Sequence, residues 1–291
     1  MLLTALRKKL YSHIDKRRGI MKVGSIVRYP NIEEDFAWLS ENGIDNCQFY
    51  MYPDEQTEEN IARVKSLREK YGIEITSIVG MWTGVMEWNF KYGPVTLGLI
   101  PTAYRDRRMS EMRAYCDLAH TLGVKDVSSH MGFIPEYMYD AEYRTWIPAM
   151  RDLMRYYEAK DIYLDFETGQ ETPVTMLRAI TEISSDRVGV NFDSGNLILY
   201  GKANPVDALD VIGKYVRGVH AKDAMYPTDP MFLGEEKALG EGKVDFPRLL
   251  GKLRELGYDG AVTIERECAG EKERSDILAG KKLLDGIIAS L

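Results

Sequence analysis

Four residues of metal-ligand type each close a short β-rich run in the C-terminal half of the chain. Glu167 ends Ile162-Tyr-Leu-Asp-Phe-Glu, Asp193 ends Val188-Gly-Val-Asn-Phe-Asp, His220 ends Val216-Arg-Gly-Val-His and Glu265 ends Ala261-Val-Thr-Ile-Glu. Three carboxylates and one imidazole form a hard to borderline donor set. It suits a single divalent ion such as Mn²⁺, Mg²⁺, Co²⁺ or Zn²⁺ and is unlike a thiolate-type structural zinc site. Closely packed carboxylates repel one another unless a cation lies between them. Such an ion polarises a carbonyl and a neighbouring hydroxyl, and it stabilises the enediolate left when a proton departs. A strand-end carboxylate taken alone is most often a solvated or capping group. Four ligand-type side chains in the same place on successive units form a pattern.

The elements that must position them follow from the spacing. Glu167 and Asp193 are 26 residues apart, and Asp193 and His220 are 27 apart, about one strand-plus-helix unit each; the 45 residues to Glu265 leave room for an inserted loop. In a parallel barrel of such units every strand's C-terminal end lies on one face, where active sites are built. From Met21 onward β-rich and helical runs alternate. Strands are expected at Lys22–Arg28, Asn46–Tyr52, Ile73–Gly80 and Asp126–His130, followed by the four that carry the ligands. Helices are expected at Phe36–Asn42, Thr57–Tyr71, Met109–Leu122, Asp140–Lys160 and Ser275–Ser290, the first three stopped by Gly43, Gly72 and Gly123. The fold class is therefore α/β, a single (β/α)₈ TIM barrel over residues 21–291 with an additional N-terminal helix. That helical extension, residues 1–20, has Leu3, Leu6, Leu10 and Ile14 at helical spacing and is expected to cover the closed end. Residues 81–108 break the rhythm with Trp82, Trp88, Phe90, Tyr92 and Tyr104. A long aromatic connection of this kind reads as a lid or binding loop, with Trp82 as a candidate substrate contact.

Bulk properties narrow the function. A net charge of −7 opposes a sequence-independent grip on nucleic acid, which needs basic clusters. Three cysteines, an odd number without CxxC spacing, read as reduced thiols in a cytoplasmic protein. No run reaches the 18 or so apolar residues that span a bilayer, and residues 1–20 lack the apolar core of a secretory signal. The expected partner is a small molecule, with no nucleic acid and no membrane, and a homo-oligomer is open to the chain.

Several motifs together resemble a known family. Phe166-Glu-Thr-Gly-Gln-Glu-Thr-Pro, Asn191-Phe-Asp with Asn196-Leu-Ile-Leu-Tyr-Gly, Val219-His-Ala-Lys-Asp, Leu239-Gly-Glu-Gly-Lys-Val-Asp-Phe and Gly257-Tyr-Asp-Gly-Ala-Val-Thr-Ile-Glu-Arg-Glu are similar to the xylose isomerase-like TIM-barrel superfamily, and within it to the sugar phosphate isomerase/epimerase group. The resemblance covers Met21 to the end. It implies that Glu167, Asp193, His220 and Glu265 bind one divalent ion, and that Glu167 and Glu265 act as acid and base on opposite faces of a sugar or sugar phosphate. Two positions depart from the ketose 3-epimerases of this superfamily. Asn196 stands where they have a His three residues after the metal-binding Asp, and Tyr226 where they carry an Arg six residues after the metal-binding His. Both side chains can still bond sugar hydroxyls. The endonuclease IV branch needs a richer histidine set than the four histidines here.

Other residues fall near the same mouth. His130 ends the fourth strand and is a candidate substrate contact or proton shuttle, balanced by a purely structural hydrogen bond. Lys222 is a candidate for an anionic oxygen, and Asp223 a candidate second-layer partner orienting His220. Leu239-Gly-Glu-Gly-Lys reads as a structural turn, with Glu241 a minor candidate. Arg105, Arg107 and Arg108 read as solvated helix-start charges, with phosphate contact as the alternative. The leading function is a metal-dependent isomerase or epimerase. The alternatives are a dehydratase of a keto-inositol or sugar acid on the same scaffold, and a sugar-binding barrel without turnover.

Overall fold

The computed structural model describes residues 21–291; the helix expected over residues 1–20 lies outside them. The barrel strands are β1 (Lys22–Arg28), β2 (Asn46–Tyr50), β3 (Glu74–Val79), β4 (Asp126–His130), β5 (Tyr163–Glu167), β6 (Val188–Asp193), β7 (Val216–Ala221) and β10 (Ala261–Ile264), with a small antiparallel pair, β8 (Asp223–Ala224) and β9 (Glu236–Lys237), inserted between the last two. The eight close into a parallel barrel in the order β1-β10-β7-β6-β5-β4-β3-β2. The helices are α1 (Ile32–Glu41), α2 (Glu58–Tyr71), α3 (Gly93–Thr96), α4 (Thr102–Leu122), α5 (Ala141–Ala159), α6 (Pro173–Ile183), α7 (Ser194–Leu199), α8 (Pro205–Ile212), α9 (Phe246–Glu255) and α10 (Glu271–Ser290).

Strand periodicity divides the molecule into two environments. Leu164 and Phe166 of β5, Val190 and Phe192 of β6, and Cys47 and Phe49 of β2 are buried in the apolar core with helix residues such as Trp146 and Leu153. Trp146 of α5 lies 6.3 Å, centroid to centroid, from Phe166. The alternate residues, Asp165 and Glu167, Asn191 and Asp193, and Gln48, are polar and equally buried, on the opposite face of each strand. TIM-barrel interiors are commonly layered with branched aliphatic side chains; here much of that space is polar. Glycine makes room for it. A Cβ on Gly24 would lie 2.1 Å from Asn46 Oδ1, and one on Gly189 2.1 Å from Asp165 Oδ1.

The aromatic connection after β3 is more structured than expected. α4 starts at Thr102, seven residues before the expected Met109, and α3 forms within the loop. Thr102–Arg108 is a polar run, so apolar periodicity does not mark it as helix. Arg105 and Arg108 are buried here, which corrects both readings of them. The Arg108 guanidinium donates to the carbonyls of Thr96 and Gly98 at 2.7 Å and to Val85 at 3.0 Å. Arg105 bonds the carbonyls of Leu99 and Ile100 and the Glu142 carboxylate. Arg107 pairs with Glu111 on the surface. The loop is thus pinned from below by two arginines. The backbone of Phe90 also bonds Met231 across the mouth at 3.1 Å. Among the described residues no helix is long and apolar enough to cross a membrane.

Replacing Arg108 with Met should free two buried carbonyls and one part-buried one, each bond to a charged donor contributing about 1.5–3 kcal/mol. Limited proteolysis within residues 81–101 should accelerate by about tenfold or more while the barrel stays intact; unchanged cleavage would show that the loop does not depend on Arg108.

Candidate active site

Register brings the ligand candidates together. Across β4 and β5, His130 is paired with Glu167; across β6 and β7, Asp193 is paired with His220. Glu265 lies one residue beyond β10, its backbone N–H bonded to Ala221 at 3.1 Å. One ligand atom from each of Glu167, Asp193, His220 and Glu265 lies within 4.8 Å of all the others, and all four residues are buried. His220 Nδ1 is 3.2 Å from Glu167 Oε1, 3.2 Å from Glu265 Oε2 and 3.5 Å from Asp193 Oδ2. Neither His220 Nδ1 nor Asp193 Oδ2 makes a hydrogen bond. Buried polar atoms without partners are rare in native proteins. Two of them, facing each other among carboxylates, fit a divalent cation.

Each of these side chains is held from outside the cluster. Asp193 Oδ1 caps α7 by accepting the backbone N–H of Asn196 at 2.6 Å, which leaves Oδ2 facing His220. The hydroxyl of Thr168 bridges the backbone N–H and carbonyl of Asp193, both at 2.8 Å. Glu167 Oε1 is approached by His130 Nε2 at 3.3 Å and by the Asn196 amide at 3.4 Å. Lys222 Nζ lies 3.4 Å from Glu265 Oε2 and 2.6 Å from Glu267 Oε1.

Charge follows this geometry. Burial opposes ionisation of Glu167, but the His130 and His220 rings outweigh it and bring its pKa down to about 2. Glu265 is likewise held well below the usual range, burial being overcome by Lys222 and His220. Asp193 goes the other way: burial, reinforced by Glu265, pushes it up to about 7. Burial alone would lower His220, yet Glu167 and Glu265 raise it well above an ordinary histidine. Without a cation the cluster therefore favours protons on His220 and Asp193.

Other sequence candidates are placed as follows. His130 sits at the mouth with Trp88 edge-on at 5.2 Å. Trp82 is fully buried, 6.5 Å from Trp88 and under the Arg108 guanidinium. It supports Trp88 rather than presenting a face to a substrate, which corrects the expectation for it. Asp223 does not touch His220. Its carboxylate accepts the backbone N–H groups of Ala224, Gly240, Gly242 and Val244 at 2.9–3.0 Å and so shapes the 239–244 loop. Three residues beyond His220, an extended chain directs its side chain to the opposite face. Lys222, on the same face as His220, is engaged by two carboxylates rather than open to a phosphate. Tyr226 is exposed beyond β8, and Glu241 is exposed on its turn.

Two buried residues escaped the sequence reading. Gln48 Oε1 meets His220 Nε2 at 2.9 Å. Glu171, four residues past Glu167, is 3% exposed with both carboxylate oxygens unpartnered, and burial pushes it up to about 8. With Gln170 and Lys202 it lines a cavity of about 410 Å³ between the lid and the loops after β4 and β5. Its position in the glycine-containing turn after Glu167 was the available signal; Gln48 had none, being one polar residue inside a strand.

A model of the xylose isomerase-like TIM barrel family matches residues 36–285, and the chain belongs to that family. A xylose isomerase domain protein from Planctomyces limnophilus has the same fold at a TM-score of 0.86, with 28% identity over 94% of this chain and all of that one. A D-tagatose 3-epimerase-like protein superposes with a TM-score of 0.72 at 22% identity, over 93% of this chain and 98% of that one. An inosose dehydratase from Lacticaseibacillus casei is 29% identical over 135 residues, 40% of this chain and 44% of that one. The chain spans less than half the length of the curated relatives it matches. Relatives on this scaffold thus include both epimerase-like proteins and a dehydratase.

Binding of Mn²⁺ should displace the protons favoured on His220 and Asp193, so affinity should rise with pH, by about tenfold per unit for each proton released. Calorimetry in two buffers of different ionisation enthalpy reads that release directly. Binding without proton release would contradict a cluster that holds protons in place of a cation.

Proposed function

We propose that the protein is a divalent-metal-dependent enzyme that epimerises or isomerises a sugar or sugar phosphate, with Glu167 and Glu265 as its acid–base pair. The observation that carries this is their placement. They stand on β5 and beyond β10, the strands flanking the β6–β7 pair, each 3.2 Å from the same ring nitrogen of His220. Two carboxylates on either side of one point are what removal and return of a proton on opposite faces require.

Glu167, Asp193, His220 and Glu265 would hold the ion, which when bound supplies Lewis-acid polarisation of a substrate carbonyl and hydroxyl. Glu265, kept ionised by Lys222, takes the proton α to the carbonyl on one of its carboxylate oxygens. Glu167 returns a proton from the other side, and it needs a proton source within reach. His130 Nε2, 3.3 Å away, is that source: burial would lower its pKa, but Glu167 raises it above that of an ordinary histidine. After turnover Lys222 favours loss of the abstracted proton from Glu265 to solvent, as His130 takes one back up. Asn196 fixes Glu167 Oε1 and faces the substrate hydroxyls, and Trp88 packs edge-on against His130. The pair works by geometry, not by unusual acidity in one member.

A lyase that expels water from the same intermediate is the second reading, favoured by the similarity to an inosose dehydratase. Incubation with a panel of ketoses and keto-inositols, followed by mass analysis, separates the two, because only the lyase product lacks one water. A barrel without turnover would process no member of the panel.

Glu265→Gln keeps an oxygen ligand but removes the base. Turnover should fall by about 10²-fold or more, with metal content held near that of the unaltered protein. Full turnover with metal bound would remove Glu265 from the acid–base pair.

A further inference from the structure

Gln48 reaches His220 from across the barrel. β2 and β7 are not neighbours in the sheet, yet Gln48 Oε1 accepts the His220 Nε2–H at 2.9 Å. The amide is fixed in turn by two other strands. Gln48 Nε2 donates to Asn191 Oδ1 of β6 at 2.9 Å, and Ser128 of β4 donates its hydroxyl to Gln48 Oε1 at 3.3 Å. All four side chains are buried. Asn191 and Ser128 lie two residues before Asp193 and His130, so one amide ties together three strands that carry the site.

The backbone is shaped for this contact. Register shifts fall between Cys47 and Gln48 against β3, and between Val190 and Asn191 against β7; such irregularities re-aim side chains next to active sites. Gly218, two residues before His220, leaves the space the amide pair fills. A Cβ there would lie 2.4 Å from Asn191 Oδ1 and 3.2 Å from Gln48 Nε2.

We propose that Gln48 is the positioning residue that sets the tautomer and tilt of the His220 ring, so that Nδ1 is the nitrogen offered to the cation. A carbonyl oxygen only accepts hydrogen bonds, so a neutral ring bonded to it must carry its proton on Nε2. That leaves the Nδ1 lone pair directed at Glu167, Asp193 and Glu265. Histidines that ligate metals commonly donate their other N–H to such a partner, and losing it weakens metal binding 10- to 100-fold. Asp223, the partner suggested by sequence proximity, has its carboxylate on loop amides instead. The inference rests on the metal-binding reading of the four-residue cluster.

Two variants and one spectrum test it. Gln48→Met fills the same volume without an acceptor, whereas Gln48→Glu keeps one. Calorimetric titration with Mn²⁺ should show affinity weakened about 10- to 100-fold in Gln48→Met and close to wild type in Gln48→Glu. In the wild-type protein with Zn²⁺ bound, ¹⁵N–¹H spectra of the histidine side chains should place the His220 proton on Nε2. Mn²⁺ binding by folded Gln48→Met as tight as wild type, or a His220 proton on Nδ1, would overturn the assignment. If Gln48→Met does not fold, the wild-type spectrum decides alone. Wild-type protein that takes up no divalent ion would instead sink the metal centre itself, and this inference with it.

Discussion

Mutual repulsion among Glu167, Asp193 and Glu265 is the constraint on which the rest of the structure depends. Three buried carboxylates with oxygens within 4.8 Å of one another cannot all be charged without a positive partner. The protein supplies that partner in layers. His220 stands among them, His130 lies against Glu167, and Lys222 lies against Glu265. Asp193, where burial outweighs the pull of His220 and Lys222, is the one pushed up to about 7. A divalent ion would reverse this arrangement, ionising Asp193 and releasing the His220 proton. The unbonded His220 Nδ1 and Asp193 Oδ2 mark where it would act.

The barrel is built to carry this charge. Apolar alternate residues bind the strands to the helices, while the inward alternates form a buried polar column of Gln48, Ser128, Asn191 and Asp165 beneath the ligands. Glycines at positions 24, 189 and 218 admit polar side chains where a Cβ would collide with them. Above the ligands, two buried arginines pin an aromatic lid. Trp88 rests on His130, and the lid backbone is bonded to the loop after β8 at Met231. The same strands therefore set the clustered carboxylates and His220, the hydrogen bonds beneath them and the loops above them.

The clustering of Glu167, Asp193, His220 and Glu265 was legible in the sequence because each ends a β-rich run, and a period of two puts a terminal Glu, Asp or His on the inner face. β1, β4 and β6 occupy the residues their patterns predict. Legibility failed where function depends on contacts across the barrel. Gln48 is one polar residue within a strand, and nothing local indicates that it meets His220 some 172 positions away. Asp223 was misread because closeness along the chain suggested closeness in space, although three residues of extended chain turn the side chain away. Trp82 and Trp88 look alike in a loop sequence; only packing shows that one is buried beneath the other. Glu171 has no local pattern to mark it as buried, since its burial comes from the lid and the loops after β4 and β5.

Anomalous diffraction from a crystal of the full chain soaked with Mn²⁺ tests the central claim most directly. The account predicts one strong peak within about 2.0–2.6 Å of a carboxylate oxygen of each of Glu167, Asp193 and Glu265 and of Nδ1 of His220, ordinary distances for such an ion. A soaked crystal with no peak among these four residues, or with the ion bound through His220 Nε2, would contradict it.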